Sequence, residues 1–144
     1  MLDVVIDTNL FVRALLRGPI TLPLIEAWRA RRFRLITSEE LIAELVDVVG
    51  RPRLREYFSK EDVRELLDLI AEQGTMVSPE EHVTLCRDPK DNVFLDVAIV
   101  GGAQYLVTGD DDLKGDEALK TTMREKYGVE IVGVGKFLAL LESQ

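Results

Sequence analysis

Residues 105–113 read "YLVTGDDDL". The apolar, β-favouring opening has the length and composition of a buried strand, yet it empties at once into the consecutive carboxylates Asp110, Asp111 and Asp112. Like charges packed this closely repel one another. Two readings are open: a solvated turn whose charges point into water, or part of a cation site completed by carboxylates from elsewhere in the chain.

Outward from this stretch the pattern alternates. "MLDVVID" reads as a first strand running straight into helical "NLFVRALL". A helix over "TLPLIEAWRARR" precedes a strand at "FRLIT", and the helix "SEELIAELVDVV" follows, with Thr37 and Glu40 at the spacing of a capping box. After the break at "GRPRLR", Ser59 and Asp62 repeat that spacing, and Val63, Leu66, Leu67 and Ile70 form an apolar stripe ending at Gly74. A short strand at "TMVS" leads to "DPKDNVFLDVAIVGG", a helix apolar almost all round, with Asp88 as cap and Pro89 at its first position. "EALKTTMREKY" reads as helix, "VEIVGV" as strand and "KFLALLES" as helix. Strands alternating with helices imply an α/β fold on a parallel or mostly parallel sheet, in one compact domain over residues 1–144.

Composition narrows the chemistry. Cys86 and His82 are the only residues of their kinds among 144. No internal disulfide is possible, a multi-Cys/His zinc site is excluded, and a Ser-His or Cys-His catalytic pair is disfavoured. No leader pattern opens the chain and no apolar run nears the ~20 residues of a membrane span, so a soluble, cytoplasmic protein is expected. The formal charge of −8 argues against broad non-specific nucleic-acid binding, but acids gathered around cations count differently from acids on a surface. Any catalysis must rest mainly on carboxylates.

Those carboxylates sit where open parallel sheets gather functional groups, beyond the carboxyl ends of strands. Asp7 ends the first strand, Asp110 follows the strand of the opening stretch, and Asp91 lies in the first turn of the apolar helix. Glu44, at the edge of the Leu41, Leu45 and Val48 face, can point toward a cleft. Each has a plainer role as well: Asp7 as helix cap, Asp91 as a dipole complement, Glu44 as a surface acid. If the four converge, their repulsion costs several kcal/mol at an effective dielectric of about 20, which a divalent cation relieves. All-oxygen ligands favour Mg²⁺ or Mn²⁺, and such an ion suits phosphodiester hydrolysis.

In order and spacing, "VVIDTNLFV", "SEELIAEL", "DPKDNVFLDVA" and "GGAQYLVTGDDDL" resemble PIN-domain proteins over nearly the whole chain, and more closely the toxin components of type II toxin–antitoxin pairs. The resemblance implies a three-layer α/β/α sandwich and a Mg²⁺- or Mn²⁺-dependent ribonuclease cutting single-stranded RNA. By position it implies Asp7, Glu44, Asp91 and Asp110 as catalytic, metal-binding acids, with Asp112 as a further ligand and Thr8, Asn9 and Thr108 as polar supports. It implies as well a cognate antitoxin and a homodimer. Asp88, Asp96 and Asp111 stay unassigned. Asp96 lies about 140° round the helix from Asp91, so the two do not serve one site.

The basic clusters "RARRFR" and "RPRLR" offer Arg31, Arg32, Arg51 and Arg53 as RNA phosphate contacts, or else as solvated helix ends. Two other functions remain open: a phosphatase using Asp7 as nucleophile, which lacks the second acid two residues on, and a catalytically silent module whose acidic cleft docks a basic peptide.

Overall fold

The computed structural model describes residues 1–18 and 21–144. β1 (Asp3–Ile6), β2 (Arg34–Thr37), β3 (Gly74–Met76), β4 (Tyr105–Val107) and β5 (Glu130–Val132) form one sheet in the order β3-β2-β1-β4-β5, and every neighbouring pair is parallel. Helices α1 (Thr8–Leu15) and α2 (Leu22–Arg29) link β1 to β2. α3 (Glu39–Val49), α4 (Pro52–Arg55) and α5 (Lys60–Gln73) link β2 to β3. A 3₁₀ turn at Pro89–Asp91 and α6 (Asn92–Val100) precede β4. α7 (Asp111–Lys114), α8 (Glu117–Thr122) and a π turn at Met123–Tyr127 lead to β5, and α9 (Val134–Glu142) follows.

The strands divide their apolar side chains between two cores because successive residues face opposite sides of a sheet. Val4, Ile6, Leu35, Val107 and Val132 join one cluster with side chains of α1, α2, α5 and α9. Val5, Ile36, Leu106 and Ile131 join another with Phe94, Leu95 and Val97 of α6. The result is the three-layer α/β/α sandwich the sequence led one to expect, its sheet fully parallel and covered on both faces. Phe137 seats α9 by meeting Phe33 and Tyr105 edge-on, at ring-centroid distances of 5.2 and 5.6 Å. At the far end of α6, a Cβ on Gly101 would collide with the side chain of Ile36, so the helix can end against β2 only with glycine there.

Local signals placed most helix starts. Ser59 caps α5 by accepting from Asp62 N–H at 3.0 Å, and Asp88 caps the 3₁₀ turn by accepting from Lys90 N–H at 3.1 Å. The cap of α3 is one residue later than the spacing predicts: Ser38, not Thr37, accepts from Leu41 N–H. Thr37 is committed to the sheet, aligned with Met76 and with its carbonyl accepting from Val77 N–H.

From β1 the chain builds outward to β3 under one layer of helices and then returns under the other to β4. β1 and β4 are neighbours whose following segments leave toward opposite faces, which opens a crevice beyond their carboxyl ends. Among the described residues no helix is long and apolar enough to cross a membrane.

Candidate metal centre

Asp7 leaves β1 into this crevice and is 2% exposed. Its Oδ1 accepts from Asn9 N–H at 3.0 Å, capping α1, and its Oδ2 accepts from the Thr108 hydroxyl at 2.7 Å. Capping and site membership are thus compatible, since a carboxylate has lone pairs for both. Thr108, fully buried, takes the Asp110 N–H at 3.0 Å on the same hydroxyl oxygen, so one side chain fixes the acids that end two adjacent strands. Asp110 Oδ1 in turn accepts from Asp112 N–H at 2.9 Å and starts α7. The acidic run of the opening stretch is therefore a helix start as well as an acid supply.

Asp91 enters from the other core layer, between the 3₁₀ turn and α6, and is 9% exposed. It makes no capping hydrogen bond, and its Oδ2 is buried without a hydrogen-bond partner. Burial, followed by the Asp110 carboxyl beside it and the charges of Asp88 and Asp7, pushes its pKa up to about 7. Two ionised carboxylates cannot donate to each other, and a proton or a cation between them relieves their repulsion. Asp88, Asp91 and Asp112 each present a carboxylate oxygen within 4.8 Å of the other two. An orphaned buried oxygen amid hard anionic donors fits a divalent ion of the Mg²⁺ or Mn²⁺ kind.

Burial raises the pKa of Asp7 as well, partly offset by the Thr108 and Asn9 hydrogen bonds, and the charge of Asp110 adds to the rise. Glu44 stands on the exposed rim; partial burial and then the charge of Asp7 raise its pKa, while Arg51 lowers it. Among the described residues the acids close enough to share one ion are Asp88, Asp91 and Asp112, while Asp7 is joined through Thr108 to Asp110 and Glu44 feels the charge of Asp7. Thr8 is buried at the start of α1, and Asn9 contributes its backbone N–H.

The remaining residues sort by position. Asp111 points into solvent, 90% exposed and near Lys114. Asp96 is 5% exposed but fully engaged by His82 Nδ1 at 2.9 Å and Val83 N–H at 2.8 Å, which pins the segment before α6. Burial pushes the Cys86 thiol pKa up, and His82 is engaged by Asp96, so no activated Cys-His pair exists. Arg31 and Arg32 precede β2 at the amino end of the sheet, where Arg32 donates to the Leu141 carbonyl at the end of α9. That is the end of the sheet opposite the one from which Asp7 and Asp110 leave. Arg51 and Arg53 lie where α3 gives way to α4, and only Arg51 is felt by an acid of the set.

Sequence reasoning left Asp88 unassigned because its capping role was sufficient by itself. It also passed over Arg13, which lines a cavity of about 340 Å³ with Asp7, Asn9, Asp110 and Asp112. The available signal was the four-residue spacing of Asn9 and Arg13, one face of α1. Arg87 was missed too; it reaches Asp112 at 3.5 Å and Asp116 at 3.9 Å.

Comparison with known proteins bears on this geometry. A PIN domain family model matches residues 3–112. An uncharacterized protein of Methanocaldococcus jannaschii is 30% identical over 115 residues, 78% of this chain and 73% of its own. No solved structure matches.

Proposed function

The chain belongs to the PIN-domain family, and from that premise we propose that it is a metal-dependent endoribonuclease of single-stranded RNA, acting in the cytoplasm. The observation that carries this reading is the partnerless, buried Oδ2 of Asp91 set among Asp88, Asp110 and Asp112. Asp7, Asp91, Asp110 and Asp112 would hold the ion, with Asp88 beside Asp91 and Glu44 on the rim. When bound, Mg²⁺ or Mn²⁺ supplies positive charge for the phosphoryl oxygens and makes water more acidic. The chain's own part is to fix the acids and place the substrate. Thr108 orients Asp7 and Asp110 together, Asn9 N–H holds the second oxygen of Asp7, and Arg13, lining the cleft, offers a guanidinium for a phosphate.

The finer reading follows the sequence resemblance: a toxin component, dimeric, whose cleft a cognate antitoxin closes. Growth arrest on expression, relieved by Asp91→Asn, would support it.

Cleavage of a mixed-sequence single-stranded RNA with Mn²⁺ tests the enzyme reading. Asp7→Asn and Asp91→Asn are expected to abolish cutting while the far-UV spectrum and cooperative melting persist. Full activity in either variant would rule the reading out. Phosphate release from small phosphomonoesters without RNA cutting would point to a phosphatase instead.

A further inference from the structure

A second cavity, of about 400 Å³, adjoins the acid cleft and shares Leu10, Arg13 and Gly109 with it. Thr108, which holds Asp7, lines it as well. Leu10, Leu16 and Val134 give it carbon walls, and Arg13 and Lys114 bring positive charge beside the acids, with Lys114 Nζ 3.6 Å from Asp111. The volume falls within the ~300–1,000 Å³ of ordinary small-molecule sites. Arg13 lines both cavities, its guanidinium lying against Gly109, where a Cβ would come within 2.7 Å of Nη1.

Glycines keep part of the wall free of side chains although the fold does not demand them. Among the described residues, a Cβ on Gly135 would meet nothing within 4 Å, and one on Gly133 would find only Lys114 Cδ at 3.8 Å and the Thr108 carbonyl oxygen at 4.0 Å. Neither has the positive φ that would reserve the position for glycine. Both line the cavity, Gly133 half-buried and Gly135 exposed at the surface.

We infer that this cavity receives the base of a nucleotide adjoining the scissile phosphate, with Arg13 and Lys114 drawing the RNA backbone against the acids. The inference rests on the nuclease reading and extends it to substrate recognition. A ligand here must be apolar over most of its surface, small enough for the cavity, and tethered to a negative chain that passes the neighbouring acids. A nucleobase of single-stranded RNA meets all three conditions. Unstacked bases can be splayed into protein pockets, whereas paired bases in a duplex cannot without an unstacking cost. The pocket therefore gives a physical reason for a single-strand preference.

The test fills the pocket from its own wall. Gly135→Phe is expected to keep the melting temperature and Mn²⁺ affinity of the unaltered protein while raising KM for single-stranded RNA about tenfold, as expected for loss of one bound base. Abasic substitution along the RNA should find one position beside the cut with a matching loss in the unaltered protein. At that position Gly135→Phe should cost nothing further, because both changes remove the same contact. Unchanged KM in Gly135→Phe, or an abasic scan without such a position, would overturn the inference while leaving the nuclease reading intact. A dimer that becomes monomeric on Gly135→Phe would assign the pocket to a second copy and overturn it equally. Failure of the unaltered chain to cut any RNA in Mn²⁺ would remove the nuclease reading and this inference together. Should Gly135→Phe not fold, the abasic scan alone decides.

Discussion

Asp91 and Asp96 lie five residues apart on one helix and its first turn, and both are more than nine-tenths buried. Asp96 has every reason to be there: His82 and Val83 N–H satisfy it, and it fastens the preceding segment. Asp91 has none, since one oxygen has no donor at all and its neighbours are further acids. Folding alone would select against such a residue, because a buried unpaired carboxylate costs stability. The contrast separates a carboxylate that serves the fold from one kept for a ligand.

Exchange of the two acids for amides should break that symmetry most visibly in catalysis. Asp91→Asn is expected to lower single-turnover RNA cleavage at least about 100-fold, whereas Asp96→Asn at saturating Mn²⁺ should leave it nearly intact. Next in size is Thr108→Val, which keeps the shape of a fully buried side chain but removes the hydroxyl linking Asp7 to Asp110 N–H. Mn²⁺ affinity measured by titration calorimetry should fall about 10–100-fold, the usual cost of losing a group that orients a ligand.

Stability should then reverse the ranking. Asp96→Ala strands the Val83 N–H and should cost about 1–3 kcal/mol in chemical denaturation. For metal-free protein, Asp91→Asn should instead stabilise above neutral pH. The pKa of Asp91 is raised in the folded state, so between its ordinary value of 3.8 and about 7 the native protein binds a proton that the unfolded chain has released. The contribution of Asp91 to metal-free stability therefore falls as pH rises through that window. Asp7 and Glu44, raised for similar reasons, add to the decline. Melting in chelator from pH 4 to 8 checks this: a falling Tm in the unaltered chain, a shallower fall in Asp91→Asn, and recovery at pH 8 on adding Mn²⁺. The smallest effect belongs to Asp111→Asn, an exposed position expected to stay within about 0.5 kcal/mol in denaturation.

These two aspartates also mark what a sequence can disclose. The alternation of strands and helices was legible because burial on a parallel sheet writes itself as short apolar runs between periodic ones, and "VVI", "RLIT" and "YLV" all became strands. Short elements were less visible. The single turns α4 and α7 are too brief to show a period, and the Thr37 cap failed because strand pairing, a long-range event, claimed that residue first. For the site, Asp7, Asp91 and Asp110 could be placed together from their positions after strands and before the apolar helix. Asp88 could not, since a cap and a ligand look alike in one dimension. Which end of the sheet Arg31 and Arg32 would occupy could not be read, because a basic cluster carries no mark of it.

Calorimetric titration of Mn²⁺ into the metal-free protein at pH 7.5, with Asp91→Asn and Asp96→Asn in parallel, bears on all of this at once. The unaltered chain and Asp96→Asn should bind with similar affinity and release protons as they do so, and Asp91→Asn should bind at least tenfold more weakly. Equal binding by Asp91→Asn, or no measurable heat from the unaltered chain, would contradict the assignment of the orphaned carboxylate to a metal.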